Sequence, residues 1–284
     1  MTTSVHTLAS GKGWQVSDVV CTAGVADRPF EEEHRNFCVA VVTNGTFRYR
    51  ARQGTAMLTP GALLLGNPVT CYECGHEHGA GDRCISFHFS PAYMERIVAD
   101  TPGTKTLAFE TPRLPPLPEL APLLAEAEAA REMADIEAFE ELGLRIAGAA
   151  VASGITPAAQ APSRRDQKRV AEAVRRIELD ADRPVSLAEL ASETATSPYH
   201  FLRSFRHVAG MTPYQFLLKT RLHRAAVRLR MSDEAISTIA FEAGFNDLST
   251  FNRRFRRVMG EAPGAYRVRR RGDKLLNASA VPAL

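Results

Sequence analysis

No run of about 18 apolar residues occurs in this 284-residue chain, so no helix of membrane-spanning length is expected. The opening residues, MTTSVHTLASGKGW, lack a basic start followed by an apolar stretch, so a secretory leader is not expected either. Cysteine is scarce and odd in number, with five residues at 21, 38, 71, 74 and 84. Without an export signal, that count argues against a disulfide framework and for a reducing, cytoplasmic setting. Acidic charge is thin in the last third of the chain. Between Arg164 and Gly272 stand 22 Lys/Arg against 12 Asp/Glu, a net of +10 that leaves −7 on the rest of a chain totalling +3. A basic module beside an acidic one suits phosphate binding by the first; a solvated basic face is the plainer alternative. Hydrophobic residues make up 45%, enough for one or two packed domains.

The basic third holds a repeat. Leu187–Phe216 and Ile236–Tyr266 each read as helix, turn, helix. Phe201 and Phe205 match Phe251 and Phe255, Gly210 matches Gly260 and Pro213 matches Pro263, all offset by fifty residues. Upstream, Leu190 and Ala191 match Ile239 and Ala240 at an offset of forty-nine, so one turn is a residue longer. A duplicated small unit with a basic second helix is a DNA-binding signature.

Local chemistry supports each unit. Val170, Val174 and Ile177 stripe a leading helix, and Leu187, Leu190 and Ala191 the next. Ser197 is a good N-cap with Pro198 at the first helical position; Asn246 or Asp247 plays that part in the second unit. The paired phenylalanines face inward. That turns Tyr199, Leu202 and Arg203 outward in one helix, and Leu248, Ser249, Asn252 and Arg253 in the other. Such positions reach base edges in the major groove, where Arg forks onto guanine and Asn onto adenine. Arg206, Arg254, Arg256 and Arg257 suit phosphates. A long helix over about 213–231 joins the units, roughly 28 Å at 1.5 Å per residue. That is close to the ~34 Å between major grooves on one DNA face.

The block 164–271 resembles the AraC/XylS family of bacterial transcription regulators. The resemblance rests on Leu-Ala-x-x-Ala in the first unit, on Ser-Pro-Tyr-His-Phe-x-x-x-Phe, and on the signature from Gly244-Phe245 to Tyr266. It implies seven helices carrying two helix-turn-helix motifs, with the outward residues named above at the base-facing positions. The leucines at 202 and 248 stand where some members carry polar residues. The resemblance also implies an activator acting at promoter DNA with RNA polymerase, and an N-terminal cupin-like β-barrel that binds an effector, followed by helices that dimerise.

The N-terminal residues fit that layout. Residues 14–90 read as short strands with regular turns. A hairpin is expected at Asn44-Gly45 and a second around Gly79–Gly81. A short helix over 91–98, a proline-rich connection over 101–118 and helices over 117–131 and 135–153 follow. Ile136, Phe139, Leu142, Leu144 and Ile146 mark an apolar side on the last, taken as the dimer face. The expected organisation is α+β: a sensor barrel over 1–100, connection and dimerisation helices over 101–153, a linker over 154–163, a DNA-binding domain over 164–272 and a tail over 273–284.

One cluster stands apart. Cys71, Cys74, His76, His78, Cys84 and His88 fall within eighteen residues. With residue 80 at the centre of a hairpin, His76 opposes Cys84, Cys74 opposes Ser86 and Tyr72 opposes His88. Cys74, His76, Cys84 and either His78 or His88 then share one face, and thiolate with imidazole suits zinc. Ile85, Phe87 and Phe89 form a core face. A thiol sensor, and small buried cysteines beside surface histidines, are the competing readings. His34, Arg48 and Tyr49 are candidate effector-pocket residues or ordinary strand surface. The leading function is therefore a DNA-binding regulator that senses a small molecule or metal. The alternatives are a cupin-type metalloenzyme and a DNA-alkylation responder using a metal-bound cysteine.

Overall fold

A computed structural model describes residues 3–76, 81–101, 107–153 and 162–268. The N-terminal half is built from two facing sheets. Strands β1 (Thr3–Gly11), β2 (Trp14–Cys21), β4 (Phe37–Gly45), β7 (Leu63–Gly66), β9 (Asp82–Phe89) and β10 (Arg113–Leu114) form one, in the order β1-β2-β9-β4-β7-β10. Strands β3 (Phe30–His34), β5 (Phe47–Ala51), β6 (Gly54–Leu58) and β8 (Thr70–Gly75) form the other, in the order β3-β8-β5-β6.

Side-chain alternation assigns the faces. On β4 and β9, Cys38, Ala40, Val42 and Cys84 point at the second sheet and meet Phe47, Tyr49, Ala56 and Leu58 there. Phe37, Val39, Val41, Ile85, Phe87 and Phe89 point the other way, into a core roofed by helices α1 (Pro91–Asp100), α2 (Ala121–Glu132) and α3 (Ala138–Ala152). Covering on both faces is why β4 reads as the unbroken apolar run Phe37–Val42.

Two expected hairpins are not hairpins. Beyond Asn44-Gly45 the chain leaves the first sheet and enters the second, since β4 pairs with β7 and β9 whereas β5 pairs with β6 and β8. Likewise β8 pairs with β3 and β5, and β9 with β2 and β4. The proposed pairing of His76 with Cys84 is therefore corrected: Cys84 faces Val19 and Val42. The turn at Asn44-Gly45 is a corner between sheets, because the inner faces can bury each other only if the chain crosses over; residues 77–80 of the second expected turn lie outside the described residues. Gly45 shows how tight that corner is. Its φ is +75°, and a Cβ there would stand 2.2 Å from the Gly81 carbonyl.

The C-terminal half is helical: α4 (Arg164–Leu179), α5 (Leu187–Glu193), α6 (Pro198–Ala209), α7 (Pro213–Met231), α8 (Ile236–Glu242) and α9 (Leu248–Met259). With the helical segment at 263–268, the described residues hold the seven helical segments expected. Phe201, Phe205 and Phe216 centre one core with α4 and α5. Phe251, Phe255 and Tyr266 centre the other. The linker expected at 154–163 and the tail at 273–284 lie mostly or wholly outside the described residues.

The halves share their cores. Met57, on the outward face of β6, is 2% exposed and belongs to the first helix-turn-helix core. Ala121 and Ala125 of α2 lie one turn apart in the second, against Leu222, Ala225, Ala226 and Leu229 of α7. Another side of α2, with Leu123, Leu124, Ala127 and Ala130, serves the sheet core. Leu142 and Ile146 of α3 are 2% and 0% exposed in that same core. The face expected to dimerise is thus spent inside the chain, because the helices roof an apolar sheet. Leu144 remains outside, 42% exposed.

Candidate nucleic-acid interface and sensor cluster

Each recognition helix is started by a capped turn. Ser197 accepts from the His200 N–H at 3.3 Å with Pro198 at the first position. Asp247, rather than Asn246, accepts from the Thr250 N–H at 2.7 Å. Both helices end on a left-handed glycine, Gly210 and Gly260, at φ +83° and +85°. A β-carbon is strained in that conformation, which explains why the repeat keeps glycine there.

Phe201 and Phe205, like Phe251 and Phe255, are at most 1% exposed. Burying that stripe turns Ser249, Asn252, Arg253, Arg256 and Arg257 outward along one exposed face of α9. On α6, Tyr199, Arg203 and Arg206 are exposed, together with Pro198, His200 and His207. The two leucines differ from the rest. Leu202 is half-buried in a crease beside Leu187, Leu190, Tyr214 and Leu217. Leu248 packs on the edge of the second core, in a groove with Ile236 and Pro263. Arg254 turns aside and lies over the Tyr214 ring, 5.6 Å from its centroid.

Cys74 and Cys84 join the inter-sheet core, and Cys71 is exposed on the outer face. Burial raises the thiols of Cys74 and Cys84 well above their ordinary value, the reverse of what a thiolate sensor needs. Of the candidate ligands, His76 lies 2.6 Å from Asp82 Oδ2, and these two converge with Cys21 rather than with Cys74. Cys84 touches the other Asp82 oxygen at 3.7 Å. His78 lies outside the described residues. Cys21 and Asp82 escaped the sequence reading because they meet only through the β2–β9 pairing, in which they are direct partners. Nearby, His34 and Tyr49 point inside: His34 Nε2 is 2.9 Å from the Tyr49 hydroxyl, and its ring stacks on Tyr72 at 4.1 Å. Burial, aided by His88, pushes the His34 pKa down to about 4. Arg48 takes the outer side and pairs with Glu73 at 3.9 Å.

A cavity of about 620 Å³ opens where the halves meet, lined by Cys21, Asp82 and Arg83 from the sheet, Glu128 and Arg131 from α2, and Glu178, Lys219 and His223 from α4 and α7. Glu128 and His223 bridge the halves at 2.5 Å. Burial works to raise the Glu128 carboxyl, but His223 and Arg131 outweigh it and its pKa falls. Glu126 of α2 ties Arg145 of α3 at 2.9 Å and Arg230 of α7 at 3.2 Å.

Comparison with known proteins agrees with this division. Residues 23–143 match the AraC-like ligand binding domain, and residues 190–269 match a helix-turn-helix domain. The regulatory protein SoxS of Escherichia coli is 32% identical over 103 residues, which are 36% of this chain and 96% of SoxS. The MmsAB operon regulatory protein of Pseudomonas aeruginosa is 33% identical over 90 residues, 31% of this chain but only 29% of that protein. A solved DNA-binding domain of AdpA, a global transcriptional factor in complex with a target DNA, is 30% identical, covering 37% of this chain and 95% of that one at a TM-score of 0.36. The chain belongs to the AraC/XylS family of transcription regulators. Among the described residues, no helix is long and apolar enough to cross a membrane.

Proposed function

We propose that this protein is a sequence-specific DNA-binding transcription regulator of the cytoplasm, which lays α6 and α9 in successive major grooves at a promoter. One observation carries the reading: two capped helices, each set on a buried phenylalanine pair, present exposed arginines in the two units that the single helix α7 joins. Asn252, Arg253, Ser249, Tyr199 and Arg203 read bases; Arg206, Arg256 and Arg257 meet phosphates. Leu202 and Leu248, partly drawn into the core, offer at most an apolar edge to a thymine methyl.

In this reading a small-molecule effector enters the cavity between the halves, where contact with α2, α4 and α7 changes how the two helices are presented. The output is activation through RNA polymerase. Pairing of two chains uses the outer side of α3 around Leu144, and sedimentation at micromolar concentration tests it. Family membership favours regulation over the metalloenzyme reading. The alkylation responder needs a thiol that reaches damaged DNA, and Cys74 and Cys84 are enclosed between sheets.

The test is fluorescence anisotropy of the full chain on fragments selected from random duplexes. Binding should be sequence-dependent and fall steeply with salt. Equal affinity for all duplexes would refute the proposal.

A further inference from the structure

We propose that Cys21, His76 and Asp82, completed by Cys84, bind one divalent ion of the zinc class on the wall of the inter-domain cavity. The nitrogen, sulfur and carboxylate atoms of the first three lie within 4.8 Å of one another. Ligands about 2.0–2.3 Å from a common centre sit at comparable mutual distances. Cys84 Sγ, 3.7 Å from Asp82 Oδ1, approaches the same carboxylate from the inter-sheet side. The donors come from the directly paired end of β2 and start of β9, and from the residue that follows β8 of the facing sheet.

The surroundings favour a built site. The His76 and Asp82 side chains are 3% and 8% exposed, and Cys21 and Cys84 are 8% and 6% exposed. Arg83, next to Asp82 in the chain, is already committed to Asp18 through two hydrogen bonds at 2.9 and 2.6 Å. Backbone packing fixes the corner: a Cβ on Gly81 would stand 2.3 Å from the Cys21 carbonyl. Two sulfurs, one imidazole and one carboxylate form a borderline-soft tetrahedral set, which suits zinc over magnesium or calcium. On binding, the Cys21 and Cys84 thiols release their protons to solvent, two per ion, and the His76 proton moves from Nε2, where it faces Asp82, to Nδ1, which frees the Nε2 lone pair for the metal. No oxidation is involved. Cys21 and Asp82 also line the cavity faced by Glu178 and Lys219, so occupancy is sensed at the seam.

The test uses full-length protein stripped of metal under reducing conditions, then titrated with Zn²⁺ against a chromophoric chelator and separately with Co²⁺. One ion per chain is expected, with a thiolate-to-cobalt charge-transfer band in the near ultraviolet. Cys21→Ser and the isosteric Asp82→Asn should weaken Zn²⁺ binding beyond the ~100-fold that loss of an outer-shell partner costs. Cys71→Ser, altered on the exposed outer face, should bind as the parent does. Circular dichroism of each metal-free variant confirms that the fold is kept. No stoichiometric ion in the parent, or an ion held equally by Cys21→Ser and Asp82→Asn, would overturn the proposal. Neither result depends on DNA binding, so the site and the regulatory reading fail separately.

Discussion

At the residue scale, the two faces of α9 do different work and should respond differently to mutation. Phe255 is fully buried, and Phe255→Ala should cost about 3–5 kcal/mol in urea unfolding; a loss under about 1 kcal/mol would mean the second core is not closed as described. Asn252 and Arg253 are exposed. Asn252→Ala and Arg253→Ala should leave stability unchanged and each cost about 1–3 kcal/mol of binding at the preferred site, with little loss on unrelated duplex. Arg257→Ala should weaken all duplexes alike and shallow the salt dependence by about one counterion. If Asn252→Ala and Arg257→Ala give the same pattern, the division into base-reading and phosphate-holding positions is wrong.

At the scale of elements, legibility followed periodicity. The long helix was expected over 213–231 and runs Pro213–Met231, because proline, a Thr212–Gln215 capping box and a continuous 3.6-residue pattern all agree. Paired phenylalanines and Gly-x-x-Pro endings fixed α6 and α9 for the same reason. A strand-rich region was expected over 14–90, but β1 at Thr3–Gly11 lies outside it, β10 falls in the expected proline-rich connection, and the strand partners were not found. Asn44-Gly45 and Gly79–Gly81 carry turn chemistry, and turn chemistry says that a chain reverses without saying onto which sheet. That one gap hid Cys21 and Asp82 and put Cys74 in their place. The seam between elements was equally hidden, since Lys219 and Glu178 meet the sheet only in the folded chain. Burial pushes the Glu178 pKa up to about 7 from 4.5. The fold then keeps a proton that the unfolded chain has lost between those values, so stability falls as pH rises through that window. Burial pushes the Lys219 pKa down to about 7 from 10.5. There the unfolded chain keeps the proton, and stability recovers as pH climbs above 7. Urea midpoints across pH 4.5–10 should therefore trace a dip near 7, and Glu178→Gln with Lys219→Met should flatten it; a dip unchanged by both replacements would assign it to other groups.

At the scale of the whole molecule, the sensor half holds both DNA-binding units at once, the first through Met57 and the second through Ala121 and Ala125. A change at that seam should reach DNA without touching a recognition helix. Ala125→Leu overfills a fully buried contact with α7, at a cost of about 1–3 kcal/mol. The same variant should alter promoter affinity in anisotropy while Arg257→Ala retains its effect on top of it. Unchanged affinity would mean the halves are merely neighbours. The double membership of α2 also bears on how such proteins can be recombined. Composition invites a cut in the stretch between 153 and 162, and a chimera joined there would carry α2 away with the sensor. It would leave Leu222, Ala225 and Leu229 bare to water unless the incoming sensor brought a helix with small residues one turn apart. The unit of exchange, in evolution or on the bench, is therefore the DNA-binding region together with the helix that seals it.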